Sequence, residues 1–315
     1  MIKKTYYWMM MVFCLVLMCG TKTVHATSNL ETDWIKNVTP KITYCKRIDR
    51  LGVKIKWKKI ENADGYIIYC ARDYDDESNY VMVDLYDPSS YKVVKKIEGT
   101  NTTEATFGGL MNGATYTYRV CAYVNVNEKK KKSQLSSEKS VLMDYYSYDN
   151  EYYEQRIKRA FGSERKMEKN FKTAQKAAKQ MKTIKIRVWD FENGKQGKKI
   201  TKIKYITVNK RLAPSIQQLF NDLYKSKEKQ VIKDIGCYAY RTGEHMYGMA
   251  IDINPNENYM IDGKKILCGS YWKPKKDPYS IPRNCELVRI MKRYGFYRGE
   301  WGNRKDYMHF SYFGT

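Results

Sequence analysis

Between Thr39 and Leu142 the chain alternates β-branched or aromatic residues with polar ones and breaks at short turns. This period of two constrains the fold more than any other feature, because only a strand places alternate side chains on one face. Val53, Ile55 and Trp57 share a face, and Ala63-Asp64-Gly65 turns the chain into Tyr66–Cys70. Tyr91–Ile97 and Glu104–Phe107 follow. A last stretch runs from Leu110 through Gly113 and Tyr116 to Tyr123. Lys129–Lys132 is expected at a solvated hairpin tip. The acidic group Asp73, Asp75, Asp76 and Glu77 lacks calcium-loop spacing and is read as a solvated loop.

Beyond Leu142 the pattern changes. Residues 143–181 read as a linker with a helix: Ile157, Ala160, Phe161, Met167, Phe171, Ala174, Ala177 and Met181 recur at helical spacing, with a break near Gly162. Residues 182–315 then mix both periods. Ile184–Trp189 and Ile200–Val208 alternate, and Ala213-Pro214-Ser215 opens a helix with the stripe Ile216, Leu219, Phe220 and Leu223. Ile232–Tyr240 is expected to be a strand delivering Arg241 to a loop with Gly243, Glu244 and His245, Glu244 being exposed. Met249–Ile253 and Tyr307–Tyr312 are two more strands. The expected fold is multidomain, with an all-β module at 39–142 and an α+β domain with a central antiparallel sheet at 182–315.

Residues 1–26 read as a signal peptide: Lys3 and Lys4, an apolar run from Tyr6 to Gly20, then Val24-His25-Ala26 as a cleavage site. The run is shorter than the ~20 apolar residues of a spanning helix, although an uncleaved anchor stays open. The expected location is extracellular, in the cell wall. The formal charge of +24 falls to +21 once Lys3, Lys4 and Lys22 are removed (24 − 3). That excess suits anionic cell-wall polymers, and export excludes nucleic acid. No second apolar segment supports membrane insertion after cleavage, and the chain is expected to act as a monomer. The mature cysteines Cys45, Cys70, Cys121, Cys237, Cys268 and Cys285 have no C-x-x-C pair, which excludes a cysteine zinc knuckle. Buried free thiols, or a pair such as Cys237–Cys268, both stay open.

Trp57, Gly65-Tyr66-Ile67-Ile68-Tyr69 and the turn Leu110…Gly113…Tyr116 feeding Tyr118–Tyr123 resemble a fibronectin type III domain. The resemblance implies a β-sandwich with a tyrosine corner, in which a Tyr hydroxyl bonds back to the backbone. Such a module would be a spacer or a wall-binding unit.

His25 lies in the expected signal, so only His245 and His309 remain, and each sits near an aspartate: Asp252 and Asp306. A catalytic zinc takes three protein ligands from His and Asp/Glu and leaves a position for water. Asp252 stands in an apolar strand, where a lone carboxylate costs several kcal/mol unless it is paired or binds a metal. His245-Met246-Tyr247-Gly248-Met249-Ala250-Ile251-Asp252-Ile253-Asn254-Pro255, then Gly295-Phe296-Tyr297, Trp301 and Asp306-Tyr307-Met308-His309-Phe310, resemble the VanY-type D-alanyl-D-alanine carboxypeptidases. That zinc peptidase family includes endolysin L-alanyl-D-glutamate peptidases. The resemblance implies that His245, Asp252 and His309 bind Zn2+, that Asp306 is the general base, and that Arg241 binds a substrate carboxylate or the oxyanion. Gly243 stands where relatives usually carry serine, and the Arg241-to-His245 spacing is shorter than usual. The implied substrate is the peptidoglycan stem peptide. Cutting L-Ala–D-Glu or a cross-bridge, or binding the wall without catalysis, are the alternatives, and iron(II) is an alternative metal.

Overall fold

The computed structural model describes residues 32–49, 51–76, 79–81, 90–143, 151–241 and 243–313, without the side chains of 74–81 and of Trp301. The expected signal peptide lies outside the described residues, as do 144–150 of the linker and Glu77. Asp73, Asp75 and Asp76, expected in a solvated loop, instead end the strand Gly65–Asp76, where Asp73 pairs with Thr115, Asp75 with Tyr80 and Asp76 with Asn79.

The alternating first half forms two sheets. One has the order β1 (Ile42–Arg47), β2 (Gly52–Trp57), β6 (Glu104–Gly108). The other is built on β3 (Gly65–Asp76) and β7 (Ala114–Val126). Its flanks are β4 (Asn79–Val81), β5 (Lys92–Glu98), β8 (Lys129–Lys132) and β9 (Lys139–Leu142). Val53, Ile55 and Trp57 are buried between the sheets, where the Trp57 ring meets Tyr66 edge-on at 5.2 Å. The turn into β7 is closed by the Met111 N–H donating to the Tyr116 hydroxyl at 2.9 Å. The lysine run is not a hairpin tip. It is β8 itself, paired with Tyr123–Val126. The tip is Asn127-Glu128, with φ of 47° and 64°, the left-handed pair that a tight two-residue hairpin needs.

Two long strands, β10 (Met181–Phe191) and β11 (Lys199–Asn209), form a separate hairpin in continuous register. Three short helices precede it: α1 (Tyr153–Phe161), α2 (Glu164–Phe171) and α3 (Ala174–Ala178). The break between α1 and α2 is Gly162, a left-handed cap at φ 84°. Helix α4 (Ala213–Lys225) lays its stripe on the inner face of the hairpin. The final sheet is antiparallel and centred on β17 (Arg304–Ser311). Its order is β12 (Ile235–Gly236), β13 (Ala250–Ile253), β17, β14 (Asn258–Asp262), β15 (Lys265–Trp272), with β16 (Tyr297–Trp301) also on β17. Helix α5 (Glu286–Arg293) packs against α4 and β16.

The expected strand 232–240 shrinks to the two residues of β12. Some of its backbone groups are taken by side chains instead. Asn254 Oδ1 accepts from the N–H groups of Lys233 and Asp234, and Asn254 Nδ2 donates to the Val231 carbonyl.

The sandwich is docked on the second half rather than held off as a spacer. Arg72 on β3 donates to both oxygens of Asp222 on α4 at 2.7 and 3.3 Å, and the Tyr294 hydroxyl donates to the same carboxylate at 2.6 Å. Gly109, at φ 73°, lies so close to Pro214 that a Cβ there would sit 2.5 Å from its backbone carbon. A side chain at this position would push the two halves apart.

Candidate metal centre

His245 sits on a short 3-10 turn, Glu244–Tyr247, rather than in an open loop. The turn ends at Gly248, at φ 63°, where a Cβ would lie 2.6 Å from Met181 Sδ and 2.7 Å from the Asn209 nitrogen. Only glycine lets β11 approach so closely. His245 Nδ1 donates to the Cys237 carbonyl at 2.5 Å. A carbonyl can only accept, so Nδ1 carries a proton and Nε2 is the ring nitrogen left to turn to the site. That nitrogen faces Asp252 Oδ2 at 3.1 Å.

Asp252 on β13 lies directly opposite His309 on β17, and His309 Nδ1 is 2.9 Å from Asp252 Oδ1. The ligand atoms of His245, Asp252 and His309 all lie within 4.8 Å of one another. Burial pushes the Asp252 carboxyl upward, but its contacts with both imidazoles prevail and hold it well below the usual carboxylate range. Burial pulls His309 down, and Asp252, helped by Glu244 and Asp306, raises it.

Asp306 and His309 are three residues apart, an odd spacing that puts residues of a regular strand on opposite faces. The ladder breaks between them. Phe310 pairs with Arg298 and Asp306 with Gly299, so four residues of β17 match one step of β16. Directly paired residues share a face. Arg298 and Gly299 are neighbours and therefore face opposite ways, so Phe310 and Asp306 do too. His309 also opposes its neighbour Phe310. The bulge therefore returns Asp306 to the face of His309. Asp306, just before the expected strand Tyr307–Tyr312, is a buried residue within β17, and its Oδ1 has no hydrogen-bond partner. Burial raises its pKa; His309 opposes that rise and Asp252 adds to it.

Arg241 stands at the rim with its side chain 61% exposed, 3.8 Å from Asp252 Oδ2. Glu244, expected to be exposed, is buried and accepts a hydrogen bond from Ser311. Its partner is 67 residues away, beyond the reach of local pattern. Trp301 belongs to β16, and its side chain lies outside the described residues. The six described cysteines are free thiols; Cys237 is buried and Cys268 exposed, so they form no pair.

Residues 239–312 match the family model described as D-alanyl-D-alanine carboxypeptidase. The matched stretch contains Arg241, His245, Asp252, Asp306 and His309. No curated protein matches the chain significantly. Among solved structures, the third fibronectin III domain of human KIAA0343 protein is 13% identical, with 38% of this chain and 90% of that one covered, at a TM-score of 0.27. The twitchin kinase region of C. elegans is 17% identical, with 35% and 17% covered, at 0.21. Scores this low have no bearing on the fold, which rests on the strand order above.

A metal ion fits the donor set. His245 Nε2 and Asp252 Oδ2 face each other at 3.1 Å, with the His309 ligand atom within 4.8 Å of both, so one cation can be shared by all three. Two imidazoles and one carboxylate, with a second buried carboxylate beside them, suit a divalent transition metal with an open position.

Proposed function

We propose that this chain is a secreted, zinc-dependent peptidase of the VanY type that trims peptidoglycan stem peptides as a D-alanyl-D-alanine carboxypeptidase. One observation carries the reading: within the stretch matched by the carboxypeptidase model, His245, Asp252 and His309 converge to within 4.8 Å. The proposed division is a signal peptide at 1–26, a fibronectin type III-like sandwich at 39–142, a linker at 143–181 and the peptidase domain at 182–315. The mature protein then works as a monomer in the wall.

His245 through Nε2, Asp252, and His309 through Nδ1 would hold the ion. When bound, zinc polarises a carbonyl and lowers the pKa of water to about 7. The Cys237 carbonyl fixes the ring of His245, and pairing across β13 and β17 fixes Asp252 against His309. Asp306 is the general base. Its unpartnered Oδ1 accepts a proton from the attacking water and returns it to the leaving amine. A carboxyl raised by burial is a stronger base than a solvated one, and a nearby dication would lower it again. Arg241, exposed beside Asp252, is placed to receive the C-terminal carboxylate of the substrate.

The test measures bound metal in the purified protein and D-alanine released from pentapeptide muropeptides, with and without chelator. Stoichiometric zinc with chelator-sensitive release is the expected outcome. Intact muropeptides after incubation with added zinc would reject the reading, and cleavage after L-Ala would reassign the scissile bond.

A further inference from the structure

The bulge that brings Asp306 and His309 to one face leaves Tyr307 and Met308 outside both neighbouring registers. A bulged backbone needs partners for the groups it withdraws from the ladder. Arg298 supplies them. Its Nε and one terminal nitrogen donate to the Tyr307 carbonyl at 3.0 and 2.7 Å. The same guanidinium donates to the Ile281 carbonyl at 3.0 Å and to that of Pro282 at 3.1 Å. The segment it grips is itself pinned: Asn258 accepts from the Ile281 N–H at 2.6 Å and donates to the Tyr279 carbonyl at 2.9 Å. The guanidinium also lies 5.7 Å from the Phe310 ring, on the face of β17 away from His309.

This is an unusual use of an arginine. All four of these hydrogen bonds run to backbone carbonyls, from a planar fork with fixed donor directions. A lysine offers a single point charge and cannot span the same acceptors. The carbonyl that takes two of the four belongs to Tyr307, the residue right after Asp306 and two before His309.

We propose that Arg298 is a positioning residue of the metal centre: by holding the Tyr307 carbonyl against the 281–282 segment, it sets the angle between Asp306 and His309. The proposal rests on the reading of His309 as a metal ligand and Asp306 as the base. Arg298 touches neither metal nor substrate and acts only through the bulge.

The experiment uses the full chain with three variants: Arg298→Met, Arg298→Lys and Arg298→Ala. Each is loaded with cobalt(II), whose visible absorption reports ligand geometry. Cobalt affinity by chelator competition, the urea midpoint, and kcat and KM on a stem peptide are also measured. We expect Arg298→Met to stay folded, to show a changed cobalt spectrum, and to bind cobalt about 10- to 100-fold more weakly. At saturating metal, kcat falls by roughly 10²-fold, the loss expected from a displacement of about 1 Å, while KM holds. Arg298→Lys falls between. Methylguanidinium restores the spectrum and rate of Arg298→Ala and does nothing for Asp306→Asn. A wild-type spectrum and rate in Arg298→Met overturns the proposal. So does a loss that follows the unfolded fraction and that methylguanidinium does not restore, which marks a merely structural arginine. If wild-type protein binds cobalt but cuts no stem peptide, the proposed function fails, and the cobalt spectra alone decide the role of Arg298.

Discussion

Asp222 is the residue whose loss should part the two halves of the molecule. Its side chain is 8% exposed and that of Arg72 23%, so the carboxylate is buried and the guanidinium largely so. The carboxylate takes two bonds from Arg72, one from the Tyr294 hydroxyl at 2.6 Å and one from Gln218 at 3.1 Å. Burial and the neighbouring Asp222 raise the Tyr294 pKa well above its ordinary value, so the hydroxyl keeps its proton and donates. Asp222→Ala takes the carboxylate away from a guanidinium and a phenol at an interface that closes around Gly109 and Pro214. Removing one partner of a buried pair costs about 3–5 kcal/mol, and an orphaned hydroxyl adds roughly 1–3 kcal/mol. The bonds share one acceptor and do not add in full, so the expected loss is about 4–6 kcal/mol. Urea unfolding followed by circular dichroism and tryptophan fluorescence measures it. Wild type should unfold in one transition, with both halves coupled, and Asp222→Ala in two. The double variant Arg72→Met/Asp222→Leu, which removes both charges, should recover most of the loss. A cost below about 1 kcal/mol for Asp222→Ala, the range of exposed pairs, would refute the interface argument. So would two separate transitions already in wild type.

Three shorter predictions follow from the site and its surroundings. His309→Ala should lose metal binding in equilibrium dialysis and all peptidase activity, with the sandwich still folded by circular dichroism. Asp306→Asn should keep the metal and lose about 10²–10⁴ in kcat; wild-type turnover would assign the base elsewhere. Burial pushes the pKa of Asp190 up, but the Lys202 ammonium, the Tyr279 hydroxyl and the Phe191 N–H outweigh it and hold the carboxyl below its ordinary range. A depressed folded pKa stabilises at pH above the unfolded value and loses that stability as pH falls through the folded one. Asp190→Asn should therefore flatten the acid limb of urea midpoints measured from neutral pH down to about pH 2.

What the sequence reveals and what it hides divide along the range of the interactions. The strands of the sandwich and the tyrosine corner are legible because alternation and the Leu110…Gly113…Tyr116 spacing are local. The convergence of His245, Asp252 and His309 is legible for a different reason: once His25 is assigned to a signal, no other histidine is left. Three features depend on partners far along the chain and stay hidden. The segment 232–240 reads as a strand, but Asn254, about 20 residues later, takes the N–H groups of Lys233 and Asp234. Glu244 reads as exposed until Ser311 is folded against it. The docking of the two halves depends on Arg72 and Asp222, which are 150 residues apart.

The bulge is the instructive case, because its signal is present in the residues. A strictly alternating β17 would place Asp306 with Met308 and Phe310, which are 4% and 0% exposed. An ionised carboxylate on that face would cost several kcal/mol unless paired, and four of the donors of Arg298, the cation there, already serve backbone carbonyls. The same alternation that identifies the strand is therefore incompatible with Asp306 unless it breaks between 306 and 309. Three extra residues against β16 provide that break, and they turn a carboxylate that would burden the core into one on the face of His309. A break of this kind leaves carbonyls unpaired on the opposite face. An arginine in the neighbouring strand, otherwise without a role in the pattern, is the residue type able to take several of them at once.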